Sequence, residues 1–290
     1  MTAEPGFRHE ALLYADDDHL ATSTSAFLRD GLAAGEAALV VVETRRIALL
    51  RAALGDDADA VRFVDMANVG RNPARIIPLW RRFLDEHDGV GRGVGEPVWP
   101  GRSPAELVEC RVHEALLDVA FADAPGFHLL CPYDTGRLDP AVVDQARATH
   151  DGVDARRLLA EPLDPPAGAG ARRLTFTRLW PVRRFVGDLA VAAGIDPAGV
   201  ADVVLALDEV AANSLRHGGG RGTVAVWTEP GALVCEVTDR GCLSDPLAGR
   251  RAPVDGQLNG RGLWMANQLC RLLQLRTSAW GTTVRLHFSR

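Results

Sequence analysis

The chain has 290 residues, 32 basic and 38 acidic side chains, a net charge of −6 and 47% hydrophobic residues. That length favours two domains, each able to bury its own core, and the apolar fraction excludes wholesale disorder. No apolar run approaches the roughly 18 residues of a membrane helix, and the start lacks the basic-then-apolar layout of a secretory leader; a cytoplasmic location away from membranes is expected. All the basic residues are arginine, which excludes a Walker A lysine, Schiff-base chemistry and a lysine general base. Cys110, Cys131, Cys235, Cys242 and Cys270 are scattered with no Cys-x-x-Cys pair, so they read neither as a disulfide framework nor as a zinc site.

Taken in order, the first half alternates strand and helix signals. Strand signals fall at 11–14, 38–42, 60–64 and 127–131; the run Ala38-Leu-Val-Val-Val42 suits a strand buried on both faces. Leucine and alanine spacing predicts helices near 18–33, 44–54, 74–87 and 104–121. The last opens on Ser103-Pro-Ala-Glu106, a cap, a first-turn proline and a glutamate three residues on. The alternation implies an α/β domain with a mainly parallel sheet and flanking helices.

Glu161 to Ala171 then holds three prolines and two glycines, which disfavour helix and strand alike. The charge switches at the same place: 17 Arg against 28 acidic residues over 1–166, 15 Arg against 10 beyond. A linker at 161–171 between domains 1–160 and 172–290 is the better reading, a long surface loop the alternative. The basic half suits an anionic ligand.

The second half predicts a strand at 173–177, helices at 180–193 and 197–216, and strands 222–228 and 232–238 around Glu229-Pro-Gly231. A loop from Arg240 to Asn259 follows, then a helix opening at Gly260-Arg261-Gly262-Leu263. Strands 273–278 and 282–288 close the chain. Helices beside a mixed sheet make an α+β sandwich. Glu209, Asn213 and His217 share one face of the 197–216 helix. The amide oxygen of Asn213 suits Mg²⁺, and the Glu209 carboxylate suits orienting or deprotonating a hydroxyl; a solvated polar face is the plainer alternative. Asp239 leaves a strand just before Gly241, where a carboxylate can accept a purine amine proton; a common Asp-x-Gly turn is the plainer alternative. The Gly260–Gly262 helix start offers free amides to phosphates, and the Thr282 region precedes the last strand.

Together, the Glu-x3-Asn helix, the strand ending Asp-x-Gly, the long loop, the Gly-x-Gly helix and the final Gly-Thr resemble the GHKL ATPase superfamily, nearest its anti-sigma factor serine kinases. The resemblance implies a Bergerat fold over about 172–290 and ATP and Mg²⁺ as cofactors. It implies Glu209 as catalytic glutamate and Asn213 as the magnesium ligand. Asp239, Gly241, Gly260, Arg261, Gly262, Leu263 and Thr282 would complete the nucleotide site, with the intervening loop as lid. Leu243 stands where the adenine box usually has its last glycine. Arg250 and Arg251 in the lid could reach phosphates electrostatically, or be plain loop charge.

In the first half, His9-Glu-Ala-Leu-Leu-Tyr14, the Phe27–Glu36 stretch and the Leu39–Val42 strand resemble MEDS-type sensory domains. That resemblance implies a degenerate phosphate-loop-like fold. Loops Glu96–Gly101 and Cys131–Asp134 would then line a sensory pocket with His9, Trp99 and Tyr133 for a small-molecule signal, or be rigid packed loops. The implied function is a transcription regulator of stress-response type. It would bind Mg·ATP and a sigma factor, phosphorylate Ser or Thr of a STAS-type anti-anti-sigma protein, and answer to the sensory domain. Dimers are common in the family, and direct DNA binding is not expected. The alternatives are a non-catalytic module that sequesters its partner and a histidine kinase using His113 beside Glu114.

Overall fold

The computed structural model describes residues 6–166, 170–254, 256 and 260–290. Parts of the expected linker (167–169) and lid (255 and 257–259, with Asn259) lie outside the described residues. By packing, the chain divides into Met1–Asp154 and Ala155–Arg290.

The first unit contains β1 (Arg8–Tyr14), α1 (Asp17–Ala33), β2 (Ala38–Val42), α2 (Thr44–Leu54), β3 (Val61–Asp65) and the single turn α3 (Met66–Val69). It continues with α4 (Ile76–Asp85), β4 (Val90–Gly95), α5 (Pro104–Phe121), β5 (Gly126–Asp134) and α6 (Pro140–His150). Its sheet runs β1-β5-β4-β2-β3 with every pair parallel. One face packs Val40, Val42 and Val94 against Leu28 of α1 and Leu50 and Leu54 of α2. Ser103 and Glu106 form the capping box expected at the start of α5.

Central strand β4 escapes the hydrophobic pattern because it reads Val-Gly-Arg-Gly-Val-Gly. A Cβ at Gly91 would lie 2.8 Å from Phe83, one at Gly93 2.8 Å from Leu129, and one at Gly95 2.9 Å from Trp80. The bare backbone is therefore what lets the aromatic face of α4 and the side chains of β5 sit flat on the sheet. Cys131–Asp134, expected as a loop, continues β5, because it pairs in register with Ala11–Tyr14 of β1. Helix α6, outside the helices expected from the sequence, opens on Asp139-Pro140, an N-cap that accepts from the Ala141 amide and a first-turn proline.

The second unit contains α7 (Ala155–Ala160), β6 (Arg172–Phe176), α8 (Leu179–Ala192), α9 (Pro197–His217), β7 (Gly222–Glu229) and β8 (Ala232–Asp239). Next come α10 (Gly262–Leu269), β9 (Leu272–Ser278) and β10 (Gly281–Ser289). The sheet order is β6-β7-β8-β10-β9. It is antiparallel throughout rather than mixed, since each neighbouring pair runs in opposite directions. Helices α8, α9 and α10 cover one face, giving the expected α+β sandwich.

The other face carries buried polar side chains: Glu236, Gln274, Arg276, Arg285 and His287. There α7 lies on β9, Arg285 pairs with Glu236 at 2.6 Å, and it donates to the Asp164 carbonyl. A cavity of about 210 Å³ opens beside this pair, under Pro162–Pro166.

Candidate functional site

The expected nucleotide residues gather on the helical face of the second sheet, away from that cavity. Helix α9 starts on the Asp196 cap with Pro197 in its first turn and buries Val203, Leu207, Val210 and Ala211 against the sheet. This sets Glu209 and Asn213 half-buried on its flank. Asp208 faces elsewhere, bound bidentately by Arg183 of α8 at 2.6 and 2.9 Å. Helix α10 comes in so close that a Cβ on Gly262 would lie 2.6 Å from the Glu209 Oε2 atom and 3.5 Å from Asn213 Nδ2. Among the described residues no side chain caps α10: its N-cap is Arg261, preceded by Gly260 at φ 81°. Its first amides are thus offered beside a carboxylate and an amide. Asn213 Oδ1 accepts from Arg216 at 3.0 Å.

Asp239 ends β8 opposite Thr282 of β10. Its Oδ2 accepts from the buried Ser214 hydroxyl at 2.6 Å and its Oδ1 from the Gly241 amide at 2.7 Å. Both oxygens keep further lone pairs for an incoming amine. A Cβ on Gly241 would meet the His217 carbonyl oxygen at 2.6 Å, and one on Gly218 would meet Asp239 Cγ at 2.4 Å. These contacts seat the C-terminus of α9 directly on the Asp239 turn. Thr282 donates to the Gly241 carbonyl at 2.8 Å, and Thr277 accepts from the Leu243 amide at 2.9 Å. Ser214, Gly218 and Thr277 were missed in the sequence. Ser214 looks like ordinary helix packing, and Gly218 lies in the run Gly218-Gly-Gly220, where any of the three could cap the helix.

In the loop expected as a lid, Asp245 accepts from the Leu247 amide and from Arg251. Arg250 is buried rather than exposed loop charge. Gly249, at φ 75°, packs its backbone on Leu263 and accepts from Asn267 of α10. The described part of this loop is therefore fastened to α10.

In the first unit, the C-terminal edge of the sheet is closed by an ion-pair knot. Arg46 lies 3.0 Å from Glu96, 2.9 Å from Asp134 and 3.2 Å from Asp17, and Tyr14 donates to Glu96 at 2.8 Å. Burial pushes the Glu96 carboxyl up to about 7, against the opposing charge of Arg46. Of the expected pocket residues, His9 and Tyr133 come together around the His150 ring. Trp99 stands apart, stacked under the Arg102 guanidinium. His113 is buried on α5, which does not favour it as a phosphoacceptor.

These two architectures define the class: a parallel α/β unit joined to an antiparallel α+β sandwich that gathers a glutamate, an asparagine and close-approach glycines. Residues 8–151 match the family model of the MEDS domain, the methanogen/methylotroph, DcmR sensory domain, and residues 173–288 match that of the histidine kinase-like ATPase domain. The chain thus joins a MEDS sensory module to a histidine kinase-like ATPase module. No curated protein matches it. The crystal structure of the RsbU and RsbW domains of Rv1364c from Mycobacterium tuberculosis is similar at 21% identity and a TM-score of 0.32. That likeness covers 42% of this chain and 32% of that one, and carries no argument about activity. Among the described residues no helix is long and apolar enough to cross a membrane.

Proposed function

We propose that the second unit binds Mg·ATP and acts as an anti-sigma-type regulator. It would hold a sigma factor and phosphorylate Ser or Thr of an anti-anti-sigma protein, under control of the MEDS module. The observation that carries this reading is the approach of Gly262 to Glu209 and Asn213, with Asp239 held ready by Ser214 and Gly241. The donor set suits the nucleotide: the bare backbone of Gly262 lets the first amides of α10 lie beside Glu209 and Asn213, and that of Gly241 lets the end of α9 seat on the Asp239 turn. Asp239 would receive the adenine amine, the first amides of α10 the phosphates, and Asn213 the cation.

Bound Mg·ATP supplies a transferable phosphoryl group. The protein's share is to orient it and to exclude water. Glu209 would take the proton of an acceptor hydroxyl. The two domain-family matches and the basic charge of this half support the same reading.

The test is phosphate transfer from labelled ATP to STAS-type proteins. Transfer that both Glu209→Ala and Asn213→Ala abolish supports a kinase. Partner capture without transfer favours sequestration, the reading that Leu243 in the adenine box keeps alongside.

A further inference from the structure

We infer that the first unit holds a site for a divalent cation of the zinc class, ligated by His9, Glu114, Cys131 and His150. The four residues come from β1, α5, β5 and the last position of α6, so no spacing in the sequence announces them. The fold brings them together. His9 pairs in register with Leu129, two residues from Cys131, so His9 and Cys131 share one face of the sheet. Helix α5 presents Glu114 to that face. All four side chains are more than nine-tenths buried, and one ligand atom from each lies within 4.8 Å of the others.

The hydrogen-bonding pattern points to a cation. His150 Nδ1 lies 2.8 Å from the Ala146 carbonyl, which can only accept, so Nδ1 carries the proton and Nε2 presents a lone pair. That Nε2 is 3.3 Å from Glu114 Oε2 without a hydrogen bond between them. His9 Nε2 is 3.1 Å from the same carboxylate oxygen and 3.3 Å from Cys131 Sγ, one nitrogen placed against two ligand atoms. Glu114 Oε1 is also buried, and the carboxylate faces the Tyr133 hydroxyl besides the two imidazoles. Electron pairs converging in a buried place are costly unless something positive lies among them. His9 Nδ1 faces Asp118 Oδ1 at 3.6 Å, the outer carboxylate that commonly orients a metal-binding imidazole.

The spacing suits zinc. Bonds of roughly 2.0–2.1 Å to nitrogen or oxygen and about 2.3 Å to sulfur put neighbouring tetrahedral ligand atoms about 3.3–3.7 Å apart. The closest separations here are already at or just below that range. Two imidazoles, a thiolate and one carboxylate exclude magnesium and calcium, which take oxygen ligands, and favour a borderline-soft cation. Four protein ligands leave no open position, so the site is structural or sensory rather than catalytic. A bound cation would pin α5 and α6 to the β1–β5 edge.

The test uses the full-length protein, stripped with a chelator and dialysed against Zn(II) or Co(II). We expect one metal per chain retained through gel filtration, and a Co(II) spectrum with thiolate charge-transfer and intense tetrahedral bands. Cys131→Ser should remove the charge-transfer band, and His150→Ala should weaken binding at least tenfold. Cys110→Ser, a buried cysteine outside the cluster, should leave both unchanged. Retention well below one metal per chain, or a wild-type Co(II) spectrum without a thiolate band, overturns the inference whether or not the variants fold.

Discussion

Gly241→Ala tests how closely the end of α9 must seat on the Asp239 turn. The new methyl would lie 2.6 Å from the His217 carbonyl oxygen, 3.0 Å from Asp239 Oδ1 and 3.1 Å from Gly218 Cα. A carbon–oxygen contact relaxes at roughly 3.3 Å or more, so α9 and the turn must part by about 0.7 Å. Two of the three neighbours are backbone and cannot swing aside. Gly241 is not among the glycines at positive φ, so the substitution measures packing and not backbone strain. Overpacking of this kind costs about 1–3 kcal/mol, or roughly 3–10 °C in the melting of a unit this size. The same displacement moves Asp239, and nucleotide affinity should fall about tenfold or more. Calorimetric melting and nucleotide titration read the two effects. Gly219→Ala is the control: its φ is 85° and its Cβ would meet nothing within 4 Å, so it should lower stability by about 1–2 kcal/mol through backbone strain alone without changing affinity. Unchanged stability and affinity in Gly241→Ala would refute the close-seating argument.

Removing the Ser214 hydroxyl should cost about 1.5–3 kcal/mol, because it donates to a carboxylate from a buried position. A double-mutant cycle with Asp239→Asn that shows no coupling would contradict this. In the first unit, Arg46→Met leaves Glu96 and Asp134 buried without their cation, and should cost about 3–5 kcal/mol in denaturant unfolding. The sign with pH follows from Glu96, whose folded value is raised from 4.5 to about 7. Between those values the folded state holds a proton that the unfolded chain has released, so this stabilisation is full below 4.5 and lost as pH rises through 7. Without the Arg46 charge that opposes the rise, the variant's deficit should be smaller at pH 5 than at pH 8. An equal deficit at both would count against it.

Most elements were legible because their patterns were strong. The apolar run at 38–42 and the Ser103 capping box appear where the sequence puts them, and the β7–β8 hairpin needs only Glu229-Pro-Gly231. β4 was not legible, since its stabilising contacts belong to Trp80, Phe83 and Leu129 rather than to its own glycines. In the candidate ATP site, the residues with distinctive chemistry, Glu209, Asn213, Asp239 and the glycines, could be picked out by order and spacing. Ser214 and Thr277 could not, because their value lies in which oxygen or amide they meet across the fold. The His9–Glu114–Cys131–His150 cluster is the extreme case, four ligands spread from β1 to α6. Cysteines scattered along the chain give no sign of which histidines and carboxylates they meet in space.

The most direct test of the account is calorimetric titration of the full-length protein with Mg·ATP and, separately, Mg·GTP. If Asp239 receives an exocyclic amine between Ser214 and Gly241, ATP binds and GTP, with a carbonyl at that ring position, is rejected. Asp239→Asn should then lose ATP binding. No heat with ATP at millimolar nucleotide, or equal binding of ATP and GTP, would contradict the assignment of this face as a nucleotide site.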